Sequence, residues 1–490
     1  MPLVEDRLAL RVSADGYEGE NFISYTGALA PRDAFIDKDN GNRLRAKLAF
    51  RPNGFDDDLS FRLAYEKQHV RRPSGEDSVG LLGDFYEQDD PFSISVFELD
   101  NELVSFEANV PLGGGWTAYG IAAYQNSRER GLPIFDNGSS LDVFADAREF
   151  SQEARISYSD PGSRLKAVAG IFHFDRDRNE GGRPGSAFVY DADDRGNTIA
   201  VFADAVVPFG DFDILAGGRW ERERQDRAFL ADFGLALDVD IRQSLFLPKG
   251  GLRWNIGDNH TVTAFYYRGY SPAAAGVSFL TFTPYQFRRE TSDSVELAWR
   301  LRRGDVTINA NIFGSVYNDE QISGAGLLGP ADSIIINADK TRYRGAEAEV
   351  KWRAAPWVTL TGAIGLLDAK IVRFGGDPSN DLNNGNRLPN SPEATGRLAA
   401  QITPLEELTL DADVRYNGPY FSVYQNTPGS RIAGRVLLDV RASYALGRYT
   451  LFAYVENVFD KKYLLSRDEL FEFGNAGRPR TFGAAVRARF

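Results

Sequence analysis

The last ten residues, Thr481-Phe482-Gly483-Ala484-Ala485-Val486-Arg487-Ala488-Arg489-Phe490, carry the strongest fold signal in this chain. Every second residue from Phe482 to Phe490 is apolar, and the residues between them are small or polar. A period of two residues predicts a β-strand with one apolar and one polar face. Because an unpaired strand edge is costly in lipid, a terminal strand of this kind is typical of one that closes a transmembrane barrel. We therefore predict that Phe482, Val486 and Phe490 lie on the barrel-closing strand.

The same alternation recurs along the chain of 490 residues, for example over 43–51, 295–302 and 408–415. Each apolar stretch approaches the roughly nine to eleven residues that a tilted strand needs to cross a bilayer. Nine short connections alternate with ten long ones, which predicts 20 strands with short turns at one membrane surface and long loops at the other. The long connections are predicted at about 17–41, 70–98, 127–147, 177–196, 226–242, 271–288, 319–335, 371–391, 418–432 and 463–477.

Composition supports an all-β, large antiparallel transmembrane β-barrel. The chain has no run of about 18 apolar residues, which a membrane-spanning helix requires. Alternating strands also build soluble sandwiches and propellers, but no repeat of about 40–50 residues, the length of a propeller blade, is visible. A net charge of −13 disfavours a nucleic-acid partner, which would call for a basic surface.

The sequence contains few candidates for catalytic or metal-binding residues. Cysteine is absent, and the three histidines, His69, His173 and His260, are widely separated. We predict no catalytic residues, no metal site and no cofactor, because an enzyme would need convergent acids, bases or nucleophiles. The N-terminus, Met1-Pro2-Leu3-Val4-Glu5-Asp6, lacks the apolar segment of a signal peptide, so we expect a membrane-crossing form of this chain to be processed or incomplete.

Several stretches resemble TonB-dependent outer-membrane receptors. Val455 to Tyr463 is similar to the family's Asn-x-Phe-Asp-Lys-x-Tyr pattern at the end of the penultimate strand, and Gly477 to Phe490 is similar to its last strand. Arg344 to Glu349 resembles a strand whose Gly-x-Glu-x-Glu motif points inward. Three further stretches match the family: Asn337 to Thr341, Gly385 to Pro392, and Pro2 to Arg11.

The resemblance implies one barrel domain over residues 1–490, in the outer membrane of a Gram-negative bacterium and in contact with its lipid. The family's plug domain and TonB-contacting segment have no counterpart here, and the family barrel has 22 strands. The resemblance implies uptake of a ferric siderophore or a similar scarce nutrient, with the TonB complex as a partner only where a plug is present. It also implies that the barrel assembly machinery recognises the C-terminal strand. The alternatives are a passive wide channel or an inactive truncated receptor.

The first and last long strands of the predicted barrel are expected to pair with each other. If the chain corresponds to the family's third strand onward, the final strand 481–490 is expected to pair antiparallel with the strand 7–13. The even number of predicted strands motivates this hypothesis, since a closed antiparallel barrel needs it.

The long connections are rich in aromatic residues beside arginine. Exposed aromatic rings next to guanidinium groups suit a flat, anionic, aromatic ligand. The alternative is that these rings form the interfacial girdle of a barrel. Arginines on the polar strand faces, namely Arg45, Arg62, Arg155, Arg300, Arg397 and Arg415, are expected to balance acids in the lumen. The predicted ligand-binding residues are Tyr270, Phe279, Phe282, Tyr285, Arg288, Arg289, Tyr420, Phe421 and Tyr424.

Overall fold

A computed structural model describes most of the chain. The described residues are 2–25, 38–54, 58–74, 78–81, 85–88, 95–133, 142–159, 162, 164–182, 189–232, 234–278, 281, 283–326, 329–375, 378–468 and 473–489. Phe279, Phe282 and Phe490, which the sequence analysis singled out, lie outside them.

β-Strands dominate the described residues. The first fifteen are β1 (Pro2–Val4), β2 (Leu8–Glu20), β3 (Ser24–Tyr25), β4 (Lys38–Phe50), β5 (Ser60–Ser74), β6 (Ser78–Gly80), β7 (Glu87–Gln88), β8 (Ser95–Gly113), β9 (Trp116–Pro133), β10 (Val143–Ser159), β11 (Lys166–Gly182), β12 (Tyr190–Phe209), β13 (Phe212–Ala231), β14 (Ala236–Ile256) and β15 (His260–Ser271). The others are β16 (Ala274–Ser278), β17 (Thr283–Phe287), β18 (Glu290–Arg303), β19 (Val306–Gly326), β20 (Gly329–Ala355), β21 (Val358–Arg373), β22 (Ala394–Leu405), β23 (Leu408–Asn417), β24 (Tyr420–Phe421), β25 (Arg431–Ile432), β26 (Arg435–Leu446), β27 (Tyr449–Glu456), β28 (Leu464–Asp468), β29 (Phe473–Ala476) and β30 (Thr481–Ala488). Two 3-10 helices span Pro378–Asn383 and Pro428–Ser430. No helix in the described ranges has both the length and the apolar character needed to span a membrane.

Twenty-one of these strands form one large antiparallel sheet. Apart from the three-residue β1, its members have at least eight residues each, which confirms the predicted number of 20 long strands. The chain divides into two compact units. The N-terminal unit comprises Met1–Glu76, Glu87–Gly250 and Ala273–Gln286, and the C-terminal unit comprises Asp77–Tyr86, Gly251–Pro272 and Phe287–Phe490.

Within each unit the long strands pair antiparallel with their neighbours in sequence. In the N-terminal unit the ladder runs through β1, β2, β4, β5 and β8 to β13. In the C-terminal unit it runs through β15, β18 to β23, β26, β27 and β30. Neighbouring antiparallel strands joined by tight turns are the arrangement that the short connections predicted.

The predicted alternation of strand faces is confirmed at the C-terminus. In β30 the apolar-face side chains of Phe482 and Val486 are 78% and 67% exposed. They lie opposite Val455 and Leu451 of β27. This register assigns the odd-numbered residues of β27 to the apolar face, although both faces of 449–457 are half apolar in sequence. The pairing of 481–490 with 7–13 stays a prediction.

Several predicted long connections are wrong, because the strands extend further than their apolar stretches. The connection predicted at about 319–335 contains only residues 327 and 328 between β19 and β20. The connection predicted at about 226–242 contains four residues between β13 and β14. The connection predicted at about 177–196 contains residues 183–189. Beyond the apolar band the two strand faces no longer differ in polarity, so the alternation disappears while the backbone ladder continues.

The long connections of the C-terminal unit pack together with the strand ends beneath them. Their buried apolar residues form one cluster, in which Tyr424 packs against Phe374 with ring centroids 5.0 Å apart. The other buried members are Ile322, Ala338, Ala369, Ile371 and Leu388. These connections therefore form a packed layer with a core of its own, a feature that strand periodicity does not predict.

Candidate functional site

A cavity of about 1290 Å³ lies along the polar strand faces of the C-terminal unit. Its wall combines acids, amides and guanidinium groups with apolar side chains, among them Trp299, Ile364 and Leu437. The acidic and amide residues are Asn255, Glu296, Asn309, Asn311, Glu347, Glu349 and Asn417, and the basic ones are Arg253, Arg300, Arg397, Arg415 and Arg435.

The Gly-x-Glu-x-Glu stretch on β20 forms part of this wall. Glu347 lies opposite Asn311 of β19, and Glu349 lies opposite Asn309. Gly345 is required by space, since a Cβ atom there would lie 2.3 Å from Cζ of Phe313. The inward direction that the resemblance implied for this motif is therefore confirmed for both glutamates.

Most arginines on the polar faces are paired with acids, as predicted. Nε of Arg397 lies 2.5 Å from Oδ2 of Asp413, and Arg415 forms ion pairs with Asp413 and Asp439. In the N-terminal unit the corresponding pairs are Arg45–Glu66, Arg62–Glu107 and Arg155–Glu153. Arg300 lines the cavity and has no ion pair among the described residues. Among the residues that the structure describes, no group of three or more His, Asp or Glu side chains is arranged to hold a metal ion.

Arg435 differs from these paired arginines in its surroundings. Its guanidinium carbon lies 4.9 Å from the ring centroid of Tyr463 and 5.9 Å from that of Tyr420. Both distances are within the range of cation–π attraction. Its Nη1 atom is shielded from solvent and has no hydrogen-bond partner in the described parts of the chain. Arg435 is thus held by aromatic faces instead of a carboxylate.

A second cavity, of about 520 Å³, lies among the long connections of the same unit. Asn417, Arg435 and Leu465 line both cavities, so these three residues stand at the boundary between them. The hydroxyl of Tyr420 donates a hydrogen bond of 2.7 Å to the carbonyl oxygen of Leu465. The other lining residues of the second cavity are Asn390, Pro392, Tyr420, Ser466 and Asn475.

The Asn-x-Phe-Asp-Lys-x-Tyr stretch positions Tyr463 at this boundary. Oδ1 of Asn457 accepts a hydrogen bond of 2.9 Å from the Lys461 amide, and its Nδ2 donates to the carbonyls of Lys461 and Arg478. Asn457 has φ +49°, a left-handed conformation that asparagine tolerates better than most residues. The Tyr463 ring then covers Gly477, where a Cβ atom would lie 1.9 Å from the ring. Burial raises the pKa of the Tyr463 hydroxyl, so this ring stays neutral beside Arg435.

Tyr270 and Tyr285, two of the predicted ligand residues, are half-buried. Tyr270 lies on β15, on the same strand face as Ala264 and Tyr266. This placement is compatible with the girdle alternative. Tyr285 lies on β17 and packs over Gly276, where a Cβ atom would lie 2.6 Å from the tyrosine hydroxyl.

Arg288 is bound within the loop structure of the C-terminal unit. Its Nη2 lies 2.6 Å from Oδ1 of Asp319 and 3.1 Å from Oδ1 of Asp339. Its backbone amide donates to Oδ1 of Asn337 at 2.6 Å. The side chain is nevertheless 61% exposed, so one edge of the guanidinium remains accessible. Arg289 is half-buried in the residues between β17 and β18.

The expectation that the aromatic loop residues are exposed is wrong for Tyr420 and Tyr424. Each is 7% exposed, because Tyr420 packs under Arg435 and Tyr424 belongs to the core of the loop layer. Phe421 is half-buried in the short ladder between β24 and β25. Their position in long connections predicted exposure, because the packing of one connection against another produces no local pattern in the sequence.

Arg435 and Tyr463 are not among the ligand residues predicted from the sequence. The signal for Tyr463 was present, since it closes the motif that begins at Asn457. No comparable signal marks Arg435, which is the first residue of β26 and lies 28 residues before Tyr463.

Comparison with known proteins places these features in a family. Residues 7–458 match the family profile described as TonB dependent receptor-like, beta-barrel. The pesticin receptor of Yersinia pestis is 25% identical over 283 residues, which is 54% of this chain and 39% of the receptor. The probable TonB-dependent receptor BfrD of Bordetella pertussis is 26% identical over 238 residues, which is 45% of this chain and 30% of BfrD. The chain thus spans about two fifths or less of these relatives' length.

Solved structures have the same fold. The ferric yersiniabactin uptake receptor FyuA from Yersinia pestis superposes with a TM-score of 0.84 at 18% identity, covering 100% of this chain and 76% of FyuA. The siderophore receptor PiuA from Acinetobacter baumannii superposes with a TM-score of 0.77 at 15% identity, covering 98% of this chain and 77% of PiuA. The predicted fold class, a large antiparallel transmembrane β-barrel, is confirmed.

Proposed function

Because this chain belongs to the TonB-dependent receptor β-barrel family, we propose that it is the barrel of an outer-membrane receptor for a ferric siderophore or a similar scarce nutrient. Relatives with receptor names and siderophore receptors of the same fold support this proposal. We place the protein in the outer membrane of a Gram-negative bacterium, with the apolar strand faces in contact with lipid.

The observation that carries the proposal is the pair of adjoining cavities in the C-terminal unit. The cavity of about 520 Å³ lies among the long connections, and the cavity of about 1290 Å³ continues along the polar strand faces. Asn417, Arg435 and Leu465 line both. A ligand captured at the long connections therefore meets hydrogen-bonding and charged groups along the wall. The guanidinium groups on this wall suit an anionic ligand, and the apolar side chains between them can contact its uncharged parts.

The proposal also covers the domain organisation, the closing strand and the partners. Residues 1–490 act as one barrel domain, and its final strand, with Phe482, Val486 and Phe490, closes the barrel and is recognised by the barrel assembly machinery. Energised uptake requires a plug domain and the TonB complex. The proposed ligand-binding residues at the long connections are Tyr270, Phe279, Phe282, Tyr285, Arg288, Arg289, Tyr420, Phe421 and Tyr424.

Binding of ferric siderophores to the purified chain in detergent micelles tests the proposal. Quenching of tryptophan fluorescence is measured for ferric catecholate, phenolate and hydroxamate complexes. We expect saturable binding of one class of complex. Addition of buffer without any siderophore is expected to leave the fluorescence unchanged apart from dilution. An absence of saturable binding across all three classes overturns the receptor assignment.

Conductance in planar bilayers separates the receptor from the alternatives. A large, constantly open pore together with no saturable ligand binding indicates a passive channel. A chain that neither inserts nor binds any ligand is an inactive remnant. Saturable binding by the inserted chain supports the receptor, whatever its conductance.

A further inference from the structure

The geometry points to Arg435 as the residue that binds the anionic group of the ligand where the two cavities of the C-terminal unit meet. The ligand class is a planar aromatic anion, such as an aryl carboxylate or phenolate. This inference rests on the proposed function and adds to it a specificity-determining residue. The predicted set of ligand residues does not contain it.

The charge of Arg435 is available in a way that the charges of its neighbours are not. Arg397 on β22 and Arg415 on β23 are both within ion-pair distance of Asp413, and Arg415 also pairs with Asp439. Arg435 has no ion pair among the described residues, and its Nη1 has no hydrogen-bond partner there. A guanidinium group carries five donors and remains charged at physiological pH. An incoming anion therefore meets a cation that has no protein carboxylate to displace.

Aromatic contacts fix the orientation of this cation. The rings of Tyr463 and Tyr420 lie 4.9 and 5.9 Å from the guanidinium carbon. Tyr463 is fixed by its contact with Gly477, and Tyr420 by its hydrogen bond to Leu465. A pre-oriented planar donor loses less conformational entropy on binding than a mobile side chain does.

Arg435 lies where a ligand could reach it from either cavity. Because Arg435 lines both cavities, an anion bound to it is accessible from the loop side and from the polar strand faces. Asn417, which lies opposite Arg435 in the ladder, lines both cavities too. Tyrosine rings beside a guanidinium favour a flat aromatic ligand over an aliphatic one, since stacking adds to charge pairing.

Salicylate is the probe for this inference, and salicylamide is its neutral counterpart of similar shape. Binding to the full chain in detergent micelles is measured by isothermal titration calorimetry. We expect salicylate to bind at least about 10-fold more tightly than salicylamide, because a hydrogen-bonded charge pair is lost with the amide. The variant Arg435→Gln is expected to weaken salicylate binding by about 10- to 100-fold and to leave salicylamide binding within about twofold. Arg435→Lys, which keeps the charge but loses the planar donors, is expected to fall between the two.

Arg441→Gln is the matched control. Arg441 lies on the polar face of the same strand, six residues and about 20 Å from Arg435, and it lines a different cavity. Its salicylate affinity is expected to equal that of the unmodified chain. Equal affinities of the Arg435→Gln and Arg441→Gln variants overturn the inference, as does an unmodified chain that fails to bind salicylate or to prefer it to salicylamide.

Two further measurements keep the outcome interpretable. If Arg435→Gln does not fold, Tyr463→Leu replaces it, and the expected result is a weaker preference for salicylate over salicylamide with Arg435 retained. Ferric siderophore binding is measured on the same preparations. Saturable siderophore binding that is unchanged in Arg435→Gln refutes the role of Arg435 while the receptor proposal stands. Salicylate binding that depends on Arg435, without any siderophore binding, refutes the receptor proposal instead.

Discussion

Replacing Leu297 with arginine tests which face of the sheet contacts lipid. Leu297 lies on the apolar face of β18 and is 45% exposed, whereas the next residue, Ala298, lines the cavity on the polar face. The two substitutions add the same side chain one residue apart on one strand. They differ in the face that receives the charge and in the side chain that is removed, leucine or alanine.

The expected magnitude follows from the position of Leu297 in the apolar band. The apolar-face residues of β18 run from Val295 to Leu301, six residues apart. A strand that rises about 3.3 Å per residue and tilts by about 40° covers about 15 Å of the roughly 25 Å band over that distance. Leu297 and Trp299 therefore flank its centre. Arginine at the midplane of a transmembrane barrel costs about 2–4 kcal/mol, which is a factor of about 30 to 800 in the folding equilibrium. Arginine at Ala298 enters a hydrated, partly acidic wall and is expected to cost less than about 1 kcal/mol.

The assay is equilibrium unfolding by urea in lipid vesicles, with the folded fraction read from heat-modifiable migration in gels. Leu297→Ala separates the loss of the leucine side chain from the addition of charge. We expect Leu297→Arg to lower the free energy of unfolding well below that of Leu297→Ala, and Ala298→Arg to remain close to the unmodified chain. Equal costs for the two arginine variants, or a larger cost at Ala298, would refute the assignment of the faces.

Three further predictions concern the loops and the polar face. Asn457→Ala is expected to lower the free energy of unfolding by about 2–4 kcal/mol, because it leaves buried backbone groups unpaired and places alanine at φ +49°. Asn457→Asp is expected to lower it by less. Urea unfolding and limited proteolysis of 457–480 measure both variants. Gly345→Ala is expected to destabilise the chain by about 1–3 kcal/mol through its clash with Phe313, whereas Gly314→Ala, with its nearest atom 4.0 Å away, is expected to be neutral or slightly stabilising in the same assay. Burial and the nearby Asp460 carboxylate raise the pKa of Tyr86 to about 12 from 10.0. The contribution of the neutral Tyr86 to stability is therefore complete below about pH 10 and is lost as the pH rises through about 12. Ultraviolet difference spectroscopy follows the ionisation of the tyrosine, and proteolysis follows the loss of the loop layer. Titration of Tyr86 near 10 with an unchanged loop layer would contradict the last prediction.

The sequence predicted the strands of the membrane-crossing sheet well because a strand with lipid on one side and polar groups on the other must alternate. Val295 to Leu301 and Thr481 to Ala488 show this directly, and each is a strand in the structure. The inward placement of Glu347 and Glu349 follows from the same two-residue period. Local periodicity was a poorer guide to strand length. In β19 and β20 the ladder continues past the apolar band, where the composition of the two faces no longer differs.

What the sequence determined alone is the class of fold, the number of long strands and the face on which each alternating side chain lies, because these depend on local spacing along the chain. The tertiary structure decided the candidate site. Arg435, at the start of β26, meets Tyr420 and Tyr463 from two different connections, and a contact of this kind produces no periodic pattern in the sequence. The structure also decided that Tyr420 and Tyr424 are buried, because burial in a layer of packed loops depends on neighbours that are far away in the chain. The terminal strand at 481–490 illustrates both contributions. Its alternation of apolar and polar residues is visible in its own sequence, whereas its pairing with β27 is established only by the register of the ladder in the structure.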